Sequence, residues 1–204
     1  MNRNFFLSAI AVLGSSMLTG CSGAAAAPTE ESDAQETEAL STEFCPAGVP
    51  TSLTPGADQT IQSHFTGTGV QIYMCNATAT GFAWTFVAPQ ANLTNAEGRL
   101  VGTHFIGPTW QGNDASAVVG AKVAGVTVDA TAVPWLLLTA TSHSGDGRFS
   151  EVTSIQRLGT VGGIAPSTVC DATKLGAIAQ VPYTAEYVFY KTTDRAKVKQ
   201  CAGG

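Results

Sequence analysis

The sequence predicts an all-β fold, an antiparallel β-sandwich of about eight or more strands, with a closed β-barrel as the alternative and at most one short helix. Three observations predict it. From residue 45 onward, short apolar segments alternate with polar residues at a period of two. Turn-forming residues separate them, and the 204-residue chain holds 22 glycines and 9 prolines. Helical periodicity is nearly absent over the same region, and residues 170–178 are the one stretch that reads as a short helix.

The elements follow in order. Residues 70–74 alternate, with Val70, Ile72 and Met74 on one side. Phe82, Trp84 and Phe86 share one face of the next segment, 82–87. Residues 98–106 and 116–123 are further strands. Residues 135–138, Trp-Leu-Leu-Leu, are apolar on both faces and predict a strand covered on both sides. Ser144-Gly145-Asp146-Gly147 is a strong turn signal, so that strand and residues 149–158 form a hairpin. Residues 183–190, rich in aromatic and β-branched side chains, make the last strand.

The amino terminus carries a different kind of signal. Arg3 precedes an apolar run over residues 5–18, which is too short to span a bilayer and fits the core of a signal peptide. Leu18-Thr19-Gly20-Cys21 resembles a bacterial lipobox. The resemblance implies removal of residues 1–20 as a signal peptide and acylation of Cys21, with palmitate among the acyl chains. The expected product is a lipoprotein whose membrane partner is reached through the lipid anchor on Cys21. Its expected place is the cell envelope, at the outer membrane, because Ser22 rather than an aspartate follows the cysteine. Residues 21–44 then read as an acidic tether. Positions 22–44 hold six acids and no Lys or Arg, and little to bury. A flexible coil of that length spans roughly 25–30 Å. Residues 45–204 form a single β domain with nine acids and nine bases. A neutral domain offers no electrostatic reason to expect nucleic acid. The basic cluster Lys191, Arg195, Lys197 and Lys199 reads as a solvated tail.

Lipidation of Cys21 leaves four cysteines, Cys45, Cys75, Cys170 and Cys201. An even number in an oxidising compartment implies two disulfides, for which three pairings exist. Cys45 and Cys201 bracket the domain, which favours their pairing with each other and that of Cys75 with Cys170. No C-x-x-C or paired-histidine spacing indicates a metal, and no motif indicates a cofactor.

The densest cluster of unusual residues runs from Gly102 to Trp110 and on to Asp114 and Ser116. His104 shares a strand face with Leu100 and Ile106. Trp110 follows Gly107-Pro108 and either stacks on a ligand or plugs the core. Arg157 either binds an anion bidentately or braces Asp114 or Glu186. His104, Trp110, Asp114 and Arg157 are therefore the candidate ligand-binding residues. No G-x-S-x-G elbow, H-E-x-x-H motif or dinucleotide fingerprint is present, and the residues specify no reaction. The leading expectation is a binding or interaction module for a small molecule or protein. The alternatives are a hydrolase or metal-dependent enzyme centred on His104, Asp114 and Arg157, and a structural envelope component.

A wider set of motifs recurs in order. It comprises Gly69-Val70-Gln71-Ile72-Tyr73, Cys75, Trp84, Ala88-Pro89, His104, Gly107-Pro108-Thr109-Trp110, Asp114 with Ser116, and Pro134-Trp135-Leu136-Leu137-Leu138. It continues with Gly145, Gly147, Gln156-Arg157, Gly162-Gly163, Ala165-Pro166, Cys170 and Val181-Pro182-Tyr183-Thr184-Ala185. This series resembles a family of secreted bacterial and fungal proteins, the domain of unknown function numbered 3455, over about residues 50–190. The resemblance implies no established activity. Where the family has Asp-Gly-Ser, this chain has Asp114-Ala115-Ser116, so a turn needing positive φ there would be strained.

Overall fold

The computed structural model describes residues 44–194. Residues 1–43, with Cys21, and residues 195–204, with Cys201 and most of the basic cluster, lie outside the described residues. The expected signal peptide, the expected lipidation site Cys21 and nearly all of the expected tether therefore fall there.

The described residues are all-β, as the alternation predicts. Eight strands run β1 (Gln59–Thr78), β2 (Gly81–Thr94), β3 (Leu100–Phe105), β4 (Thr109–Gly112), β5 (Ala117–Val126), β6 (Trp135–Ser144), β7 (Val152–Gly162) and β8 (Ile178–Thr192). Each pairs antiparallel with its neighbour in sequence, and β8 pairs with β1 from Gln59↔Thr192 to Met74↔Ile178. The ladder closes on itself as an up-and-down barrel, the alternative form of the expected antiparallel fold. The β6–β7 hairpin sits where the Ser-Gly-Asp-Gly turn predicts it. The stretch expected to hold a short helix forms one 3-10 turn, Ala172–Lys174, capped by the Asp171 carboxylate.

The meander sorts the connections between two ends. The β1–β2, β3–β4, β5–β6 and β7–β8 connections share one end. The β2–β3, β4–β5 and β6–β7 connections share the other. The second end is filled by aromatic rings. Phe149 packs against Phe189 at 4.8 Å and edge-on to Phe65 at 6.3 Å. Phe149 and Phe189 are fully buried.

Inward and outward faces follow the pleat. In β1, Gln71, Tyr73 and Cys75 are buried, and Val70, Ile72 and Met74 lie on the other, half-buried side. The apolar side of that alternation is thus the outer one. Residues 135–138 of β6 are half-buried or buried on both faces, as their apolar run predicts, whereas from Thr139 on all but Ala140 are exposed. Leu138 joins the interior cluster with Leu136 against it, while Trp135 packs outside with Leu158, Val188, Tyr190, Phe44 and Val49. The segment before β1 is the outer cover. Leu53 is fully buried, and its carbonyl accepts from Gln156 Nε2 at 2.6 Å.

Cys75 and Cys170 are bonded, closing 95 residues of chain. The bond joins β1 to the β7–β8 connection, where the Trp84 indole also donates to Thr168 O at 2.8 Å. Cys45 is disulfide-bonded as well. The expected pairing with Cys201 involves a residue outside the described set.

Candidate functional site

A cavity of about 380 Å³ occupies the barrel interior toward the end that carries the β3–β4 turn. The pleat builds it. Arg157, Leu136 and Tyr187 are register partners across β6, β7 and β8, so their side chains enter the same layer. His104 and Trp110 are partners across β3 and β4 and enter from the facing wall. Leu138, Val133, Tyr73 and Phe86 complete a mainly apolar lining, and Gly107 and Pro108 border it.

Three of the four candidate residues meet here: His104, Trp110 and Arg157 all line the cavity. The His104 and Trp110 rings stack at 4.3 Å, and Tyr187 meets both edge-on. His104 Nδ1 lies 2.9 Å from Thr109 O, a contact only the protonated nitrogen makes, which leaves Nε2 as the bare acceptor. Burial lowers the His104 pKa to about 3, against the opposing Thr109 bond, and the Arg157 charge adds to the lowering. The ring is a neutral wall element at physiological pH. Its bond to a backbone carbonyl fixes the tautomer and the orientation of the ring.

Arg157 does not brace Asp114 or Glu186. Its Nε and Nη2 donate to Pro134 O at 3.1 and 2.8 Å. Among the described residues no carboxylate lies within ion-pair distance of it. Glu186 bonds instead to His64 and Thr66.

Asp114 belongs to the opposite end of the barrel. Its Oδ1 accepts from the Ser116 hydroxyl at 2.6 Å and its Oδ2 from the Arg148 amide at 2.9 Å. Ser116 Oγ in turn accepts from the Phe149 amide at 3.1 Å. These bonds latch the β4–β5 turn to the β6–β7 turn and seat Phe149 in the aromatic floor. Burial pushes the Asp114 carboxyl up, but the bonds from Arg148 and Ser116 and the Arg148 charge outweigh it and bring the pKa down to about 2. His104, Asp114 and Arg157 therefore do not form one constellation.

Sequence reasoning missed Gln71, Tyr73, Tyr187 and Lys122, all of which line the cavity. Gln71 carried a readable signal, a polar residue alternating with Val70 and Ile72. It is 1% exposed. Tyr183, beside it, donates or accepts across 3.1 Å to Tyr187. Burial raises the pKa of Tyr187 well above its usual value and that of Tyr73 above it too, so both phenols keep their protons.

The fold and this site define a class of protein, a closed up-and-down β-barrel with an apolar interior cavity. The chain belongs to the family of proteins of unknown function designated DUF3455, whose sequence profile matches residues 55–191. No curated protein and no solved structure matches it.

Proposed function

We propose that the domain is a binding module that takes up a small, largely apolar molecule in the barrel cavity. The observation that carries this reading is the cavity itself. Interiors of proteins are ordinarily packed solid, whereas here about 380 Å³ stays open behind apolar walls that the other end of the barrel seals. That volume lies in the range of small-molecule sites. His104, Trp110 and Arg157 shape the ligand's surroundings, and Asp114 holds the floor.

N-phenyl-1-naphthylamine, a neutral dye that brightens in apolar surroundings, tests it. The wild-type domain should bind the dye saturably at one site. Leu136→Trp, which places a larger ring in the cavity, should weaken that binding at least about tenfold. Equal binding by the two proteins would place the dye elsewhere and refute the cavity as the site.

We also propose that the protein works as a lipoprotein of the cell envelope, tethered through acylated Cys21. The support is the lipobox-like Leu18-Thr19-Gly20-Cys21 ahead of an acidic segment, together with disulfides that belong to an oxidising compartment. The measurement is the membrane association of a Cys21→Ser variant.

A further inference from the structure

We propose that the cavity's ligand is an amphipathic carboxylate, an apolar body ending in a carboxylate group, with Arg157 as its counter-ion. The inference rests on the reading of the cavity as a binding site and names the chemistry that would fill it.

The lining is unbalanced in charge. Its ionic members are Arg157 and, at the edge, Lys122, and no Asp or Glu is among them. A guanidinium among apolar walls is costly unless an anion or acceptors surround it. The Pro134 carbonyl takes two of its N–H groups, one from Nε and one from Nη2. That oxygen carries only a partial charge. It orients the guanidinium plane without neutralising it.

The lining is also unbalanced in hydrogen bonding. Trp110 Nε1 is a buried donor without a hydrogen-bond partner, and the buried Gln71 Nε2 has only the Tyr183 hydroxyl to donate to. Each residue is 1% exposed and each borders the cavity. Buried polar atoms are nearly always paired, so an orphan indole donor beside a half-buried guanidinium whose partners, Pro134 O and the Tyr187 hydroxyl, are both neutral calls for an oxygen-rich, negatively charged group. Tyr187 adds a protonated phenol next to Arg157 in the register. The walls around this cluster, Leu136, Leu138 and Val133, suit only an apolar remainder. Arginine binds a planar carboxylate with two parallel bonds, which fixes the head group while the body fills the cavity.

Decanoate and decanol differ in the head group and share the body, so their ratio of affinities isolates the inference. Calorimetric titration of the wild-type domain at neutral pH should show decanoate binding at least about tenfold tighter than decanol. Arg157→Met should collapse that ratio to within about twofold. Decanol binding as tightly as decanoate to the wild type would overturn the carboxylate assignment and leave the cavity reading standing. Binding of neither would overturn both. A ratio unchanged by Arg157→Met would overturn Arg157 as the counter-ion. Should Arg157→Met fail to fold, carbon-13 titration of carboxyl-labelled decanoate on the wild-type domain replaces it. The bound carboxyl should titrate below the free acid beside a guanidinium, and above it if it lies against apolar walls alone, which would overturn the assignment.

Discussion

Ala115 shows how one residue holds strain that another chemistry would relieve. It is the one non-glycine with positive φ among the described residues, at 66°. An L-residue there costs roughly 1–2 kcal/mol, part of which a glycine gives back in unfolded-chain entropy. Ala115→Gly should therefore raise stability by about 0.5–1 kcal/mol, read as a higher urea midpoint with unchanged slope. A lower midpoint would mean the methyl group makes a compensating contact. Two glycines opposite it have no such freedom. A Cβ on Gly147 would come within 2.6 Å of Asp114 Oδ2, and one on Gly145 within 2.7 Å of Ala115 O. The family pattern made the strain at Ala115 legible, whereas the Asp114 role was not. A carboxylate two residues before a serine fits a turn latch and an active site equally well, and only the ends of the barrel to which β3, β4 and β5 carry His104 and Asp114 separate the two. Arg157 was legible as a fixed guanidinium, but its partner was not, because a backbone carbonyl leaves no mark in sequence.

At the scale of elements, the presence of the strands was easier to read than their lengths and faces: β1, expected over residues 70–74, runs Gln59–Thr78, and β2, expected over 82–87, runs Gly81–Thr94. β6, β7 and their turn follow from the apolar run at residues 135–138 and the Gly-Asp-Gly signal. β1, in contrast, presents its apolar side outward at Val70, Ile72 and Met74, while Gln71 and Tyr73 line the cavity. Period two reveals that two faces differ and not which one encloses a cavity. β1 runs 20 residues, longer than typical strands. Its far end is held by pairing with β2 and β8, by the Cys75–Cys170 bond and by the Trp84 indole. Closing a loop of 95 residues constrains the unfolded chain. In the chain-entropy model the effect approaches ~4–5 kcal/mol. A Cys75→Ala/Cys170→Ala double variant should lower Tm by roughly 10 °C. A change of only a degree or two would show that the strand pairing alone holds this end.

At the scale of the whole molecule, sandwich and barrel share the same alternation and the same hairpins, and only the β1–β8 ladder tells them apart. That pairing joins residues more than a hundred positions apart, so no local pattern encodes it. The proposed amino-terminal address is the opposite case, a local motif testable only on the full chain. Wild-type protein expressed in a bacterium that processes lipoproteins should partition with membranes and carry acyl chains. Cys21→Ser should be recovered in the aqueous fraction. Membrane retention of that variant would place the anchor elsewhere. The aromatic floor has a consequence for traffic. With Phe65, Phe149 and Phe189 filling one end of the barrel, the cavity is closed on that side. The route by which the proposed ligand would enter and leave therefore lies at the opposite end, past the β3–β4 turn.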